Sequence, residues 1–181
     1  MKRIAVTLLV IVAFAGCKQQ DKPQWQGGGQ EPVAYPGGSA PSVMPGEINR
    51  LKAIAESSPK NVNAWIALGN ALMDSQRFLE AVDAYQKALA LDPKNVDARV
   101  DMGTCYRGIG QPERALEEYR AAVKINPRHL NAHRNSGVVL AYDLNRRAEA
   151  VKEFEKYLEL APNAPDAVDI RKTIEQLKPA K

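Results

Sequence analysis

The sequence predicts an all-α fold, a solenoid of stacked helix hairpins, and three observations carry that prediction. A 34-residue unit is written twice in succession, at 62–95 and 96–129, and a third time with one extra residue at 130–164. Within each unit apolar residues run at helical spacing twice, as in Trp65, Leu68 and Leu72, then Ala81, Val82, Tyr85, Ala88 and Leu89. Pro93, Pro127 and Pro162 close the units, because the ring removes a backbone donor and turns the preceding residue away from helix. One hairpin cannot bury its apolar face alone, so units of this period must stack.

At the N-terminus, Lys2 and Arg3 precede an apolar run, Ile4 to Phe14, that is shorter than the roughly 20 residues a membrane-spanning helix needs. Small residues then lead to Cys17, and this pattern reads as an export leader over 1–16. Residues 17–45 form a tether: the tract from 18 on holds five Gly and five Pro with no periodic apolar pattern, and so lacks the means to form a core. As a flexible chain it gives an average reach of about 30 Å. Trp25 and Tyr35 stand isolated within it.

The folded domain is expected over 46–178, as eight helices. Glu47 to Ser57 places Ile48, Leu51, Ile54 and Ala55 on one face and reads as an orphan second helix. Three hairpins come next, and the extra residue in the stretch from Tyr142 to Arg147 is expected to lengthen only the turn of the third. A cap helix over 165–178 closes the stack, with Ala167, Ile170, Ile174 and Leu177 on a narrow apolar stripe. Gly69, Gly103, Gly137, Ala81 and Ala115 fall where two helices must approach closely, beside Tyr85, Tyr119 and Phe154.

Trp65, Leu68, Gly69, Ala81, Tyr85, Ala88 and Pro93 fall on the pattern of the tetratricopeptide repeat, which the chain resembles over its three units. That resemblance implies a right-handed solenoid whose first helices line a concave groove. It places Asn63, Ile66, Asn70, Met73, Asp97, Val100, Asp101, Thr104, Arg107, Asn131, Arg134, Asn135, Val138 and Tyr142 there. Asn both donates and accepts, so Asn63, Asn70, Asn131 and Asn135 suit the backbone amides of an extended peptide. Repeats of this family that clamp chaperone C-termini use Lys and Arg at several of these points. Here Ile66, Asp101, Asn131 and Asn135 stand there instead, and only Asn70 fits. The stretch Ala13, Phe14, Ala15, Gly16, Cys17 resembles a bacterial lipoprotein cleavage box, which implies acylation of Cys17 with palmitate-type chains; the small pair Ala13 and Ala15 also suits ordinary secretory cleavage.

Other classes find little support. Charged residues of both signs are interspersed, and the net excess of four positive charges falls to two once Lys2 and Arg3 leave with the leader, so no nucleic-acid partner is expected. No nucleophile with a base and no glycine-rich phosphate loop occurs, so no enzyme, cofactor or small-molecule substrate is expected. His129 and His133 are four residues apart on one helical face, but His133 takes the place of Trp65 and a tetrahedral metal site needs four ligands; no metal is expected. Cys105 reads as a small buried thiol.

The expectation is a protein-interaction scaffold of the bacterial envelope, lipid-anchored to the membrane and facing the periplasm, binding a protein partner through an extended peptide segment. Lys18 after the cysteine favours the outer membrane, by resemblance to enteric lipoproteins. The alternative is a permanent accessory subunit of an envelope complex, serving pilus secretion, outer-membrane assembly or cytochrome c maturation, in which the repeats are structural.

Overall fold

The structure is a computed structural model that describes residues 46–179. The leader, Cys17, the tether and its aromatics lie outside the described residues.

The helices are α1 (Glu47–Ser57), α2 (Val62–Asp74), α3 (Phe78–Leu91), α4 (Val96–Gly108), α5 (Pro112–Ile125), α6 (Leu130–Val138, continued by a π-helical segment Val139–Asp143), α7 (Arg147–Leu160) and α8 (Ala167–Leu177). Each of α2, α4 and α6 pairs with the helix that follows it, and α2, α4 and α6 themselves lie side by side. The repeats thus form a right-handed solenoid of three hairpins, flanked by α1 and α8. No helix among the described residues is long and apolar enough to cross a membrane.

Local chemistry sets the ends. Asn61 and Asn95 cap α2 and α4 by accepting from the backbone N–H of Ala64 and Ala98, and His129 does the same for α6 with Nδ1 towards Ala132. Asp92 and Asn126 accept from Lys94 N–H and Arg128 N–H, which folds the chain around Pro93 and Pro127. The turn inside each hairpin needs one left-handed residue, supplied by Gln76, Gly110 and Asn145.

Packing within a hairpin centres on a glycine set against an aromatic ring. A Cβ on Gly69 would lie 2.7 Å from the Tyr85 ring, one on Gly103 2.6 Å from Tyr119, and one on Gly137 2.5 Å from Phe154. All three rings are fully buried, so none can swing aside. Ala81, Ala115 and Ala150 complete the close approach, each with no exposed surface. A second repeated device ties each hairpin to the preceding turn: Trp65 Nε1, Arg99 Nη2 and His133 Nε2 each meet the carbonyl of the proline six residues earlier, at 3.0 Å. Arg99 also pairs with Glu118, and His133 Nδ1 with Glu153 at the corresponding place. Trp65 has no carboxylate there and is covered by Lys87, 4.3 Å above its ring.

Two expectations need correction. Ile54 does not join the buried face of α1: it is 43% exposed, and Ala55 packs inward with Ile48 and Leu51 beside the core. The reason is geometric, since among the described residues α1 packs chiefly on α2, and a helix against one neighbour buries a narrower stripe than an enclosed one. The extra residue of the third unit does not lengthen a turn. All three turns hold three residues (75–77, 109–111 and 144–146), and the insertion is absorbed in the helix as the π-helical segment. The hydrogen bond from Arg77 N–H spans five residues to Leu72 O and that from Gln111 N–H five to Tyr106 O, whereas Arg146 N–H reaches six back to Leu140 O. One residue added to a helix preserves the rest of the register only as a bulge.

Adding a single methyl tests the glycine contact. Gly103→Ala gains up to about 1 kcal/mol in helix propensity, yet overpacking against the immobile Tyr119 ring costs about 1–3 kcal/mol. The variant is therefore expected to melt below the parent by circular dichroism, while Glu117→Ala on the exposed side of α5 melts with it. A Gly103→Ala melting temperature at or above the parent's would mean that the ring is not wedged.

Candidate functional site

The face built by α2, α4 and α6 carries the expected site residues, at unequal depths. Asn63, Asn70, Asp97, Asn131 and Tyr142 are exposed, whereas Ile66, Met73, Asp101, Thr104, Arg107 and Arg134 are half-buried. Two of the expected positions turn inward. Asn135 is only 7% exposed, and Val100 belongs to the core. Asn135 and Asp101 share the sixth position of their units; Asn135 is buried there and Asp101 half-buried. Any variant of Asn135 therefore perturbs packing as well as surface.

The exposed polar residues are tied to the core beneath them. Tyr85 OH donates to Asn70 Oδ1 at 2.7 Å, and Tyr119 OH lies 3.2 Å from Thr104 Oγ1. In the third unit Phe154 replaces the tyrosine, and Val138 replaces the polar residue. Asn with Tyr, Thr with Tyr and Val with Phe form a pattern visible in the three units themselves. It marks Asn70 and Thr104 as partners of a buried hydroxyl. Because the Asn70 oxygen is committed to Tyr85, the side chain turns its amide N–H donors outward.

Charges on the face are mostly paired. Arg107 binds Asp143 on the π-helical segment, and Arg134 binds Asp166 just ahead of α8. Tyr157 OH donates to the other oxygen of Asp166 at 2.6 Å. Burial alone would raise the Asp166 carboxyl, but the hydrogen bonds from Tyr157 and Arg134 outweigh it and hold the group below its usual range. The same contact, after burial, pushes Tyr157 up to about 12. His129 Nε2 lies 2.9 Å from Asp97 Oδ1. All four ring nitrogens of His129 and His133 thus face protein partners. Among the described residues no group of three His, Cys, Asp or Glu is placed to hold a metal.

Asp101 differs from these. Burial, then the neighbouring Asp97, pushes its carboxyl up to about 6, with only His129 opposing and Asp74 adding to the rise. Cys105 beneath it is buried, and burial followed by Asp101 pushes the thiol up to about 12, which makes it a poor nucleophile near neutral pH. Surface clefts lie elsewhere. One of about 490 Å³ is lined by Val151, Leu177 and Lys178 among others, and one of about 190 Å³ lies around Trp65 and Lys87. None of the expected site residues lines either cleft.

Comparison with known proteins agrees with this architecture. A family model described as tetratricopeptide repeat matches residues 72–134, and a second of the same description matches 137–164. The chain belongs to the tetratricopeptide repeat family. No curated protein matches it by sequence. Among solved structures it is similar to MamA, with TM-score 0.68 and 21% identity over 74% of this chain and 75% of that one. It is similar to the Yersinia enterocolitica type III secretion chaperone SycD, in complex with a peptide of the translocator YopD, with TM-score 0.60 and 18% identity over 64% and 90%. It is also similar to the first repeat domain of Spaghetti (RPAP3) bound to an HSP90 peptide, with TM-score 0.60 and 26% identity over 64% and 92%.

Two measurements check the site's energetics. Asn70→Val leaves the buried Tyr85 hydroxyl unpaired and is expected to cost about 1–3 kcal/mol. Adding Tyr85→Phe copies the Val138 and Phe154 pair of the third unit, so the double variant should recover most of that loss in a urea melt; additive losses would deny the coupling. For Asp101 the folded state raises the carboxyl from about 3.8 to about 6, so the neutral acid is the form that the fold favours. Stability tied to it is present below pH 4 and is lost as pH rises through 6. Asp101→Asn should therefore melt a few degrees above the parent at pH 7.5, and the gap should close at pH 4.

Proposed function

We propose that this chain is a protein-interaction scaffold, tethered to a membrane by acylated Cys17, whose concave face takes an extended peptide segment of a protein partner. The observation that carries the reading is the face itself: polar residues held in fixed orientation by buried tyrosines, with exposed Asn63 and Asn131 on neighbouring units. Side chains oriented before binding lose little freedom on contact. Two of the similar structures hold peptides of protein partners, the YopD peptide in SycD and the HSP90 peptide in RPAP3. They support a peptide as the occupant here.

Export and anchoring rest on the leader that ends at Cys17, and several acyl chains hold a protein on a bilayer where one does not. The protein then works in the bacterial envelope, facing the periplasm, with Lys18 favouring the outer membrane. The tether of residues 18–45 lets the repeats stand off the lipid surface.

Two arms test this in cells. Cys17→Ser should move the protein from the membrane to the soluble fraction, and unchanged retention would remove the anchor from the proposal. A photo-crosslinking residue at Asn131 or Tyr142 should trap a protein partner that the same probe at Glu117, on α5, does not. Equal trapping from both faces would place binding elsewhere. Aggregation of the protein whenever its partner is withheld would favour a permanent subunit.

A further inference from the structure

We infer that the peptide taken by the concave face carries a Lys or Arg, and that its cation seats against Asp101. This rests on the proposed peptide groove and names the chemistry of its occupant. The cations of the face already have acidic partners in the chain: Arg107 has Asp143, and Arg134 has Asp166. Asp97 is matched by His129. Asp101, half-buried on the central first helix, makes no hydrogen bond and no ion pair with a described residue, and neither does Asp74 at the end of α2. Among the described residues, the centre of the face thus holds a half-buried carboxylate that no side chain bonds, with a second carboxylate near enough to be felt and His129, already engaged by Asp97, the one opposing group.

Burying part of a charge without a partner is unfavourable, and an arriving cation removes that penalty. An arriving carboxylate adds to it, so the charge pattern selects against an acidic tail. The surroundings suit a long basic side chain. Met73, whose sulfur lies 3.9 Å from the Tyr85 hydroxyl, is half-buried in the same neighbourhood, and Ile66 is half-buried on the same helix. Apolar surface of this kind covers the methylene stem of Lys or Arg while the head reaches the carboxylate.

The groups acting on Asp101 are Asp97 on its own helix, His129 at the start of α6 and Asp74 on α2; Tyr85 on α3 and Cys105 on α4 feel it in turn. Burial, then Asp97, pushes the Asp101 carboxyl up to about 6. A bound cation favours the ionised form, so capture should weaken as the pH falls below 6.

The test uses the full-length chain and an array of random nonapeptides. Retained peptides are expected to be enriched in Lys and Arg. Replacing the basic residue of a retained peptide by norleucine should weaken binding, read by fluorescence anisotropy, about tenfold or more. Asp101→Asn should abolish that difference and flatten the pH dependence between 5 and 7, with folding verified by its melt. Glu117→Gln, on the exposed side of α5, should leave the difference in place. Retention without basic enrichment, or a lysine preference that survives Asp101→Asn, overturns the inference and leaves the peptide groove standing. Retention of no peptide at all overturns both.

Discussion

The contact between a glycine in each first helix and an aromatic ring in the second fixes much of what else the chain can do. Where Gly69 meets Tyr85, Gly103 meets Tyr119 and Gly137 meets Phe154, the missing Cβ lets a full ring lie against helix backbone. The two helices of a hairpin then have one separation and one rotation. Every other position in the unit inherits its depth from that contact. The alanines one turn before each ring have no room to be larger, and the residues after Gly69 and Gly103 reach the face while touching the hydroxyls of Tyr85 and Tyr119. This is why the hydroxyl of Tyr85 and the amide of Asn70 meet at all: the wedge sets the ring depth, and the ring depth sets the partner.

The third unit shows how firmly this register is held. An additional residue could have gone into the turn, where loops usually accept insertions at small entropic cost. Instead the turn keeps its three residues and its left-handed Asn145, and the helix widens over Val139–Asp143. The turn is itself a closed hydrogen-bonded device, with a backbone bond reaching back into the first helix, so lengthening it would break a cap. A bulge at the helix end keeps both Gly137 against Phe154 and the cap intact. It also places Asp143 against Arg107 of the preceding unit, so the irregular turn is tied into the stack.

Much of this was legible in the sequence, and what was not has a physical cause. The repeat period, the glycine and alanine positions, the proline ends and the two flanking helices follow from patterns that survive without tertiary information. Helix depth does not. Ile54 looks like a core residue on a helical wheel, but whether it is covered depends on how many neighbours α1 has, and it has few. Asn135 looks like a surface residue because asparagine usually is, yet it is buried. Asp101 was visible as a groove position, but that no described side chain bonds it was not, because Arg107 and Arg134 could have paired with it. They pair with Asp143 and Asp166, 36 and 32 residues away in sequence, and only the stacked structure shows that. The insertion misled for a similar reason, since sequence shows that a residue is added and not which hydrogen bonds yield.

The polar residues of the concave face serve the fold and the surface together, and that double duty constrains what they can offer a ligand. A free asparagine presents a donor and an acceptor and can flip between them. Asn70 is less free, because its oxygen accepts from Tyr85, and rotating the amide would leave the tyrosine proton only the weak Met73 sulfur acceptor at 3.9 Å. The face therefore presents N–H donors at this point. At the central helix the offer reverses: Thr104 spends its hydroxyl on the Val100 carbonyl and Tyr119, and Asp101 presents only acceptors. Outward N–H donors on the first unit and a carboxylate on the second make the two parts of this face chemically unlike, although the same glycine-and-ring wedge builds both.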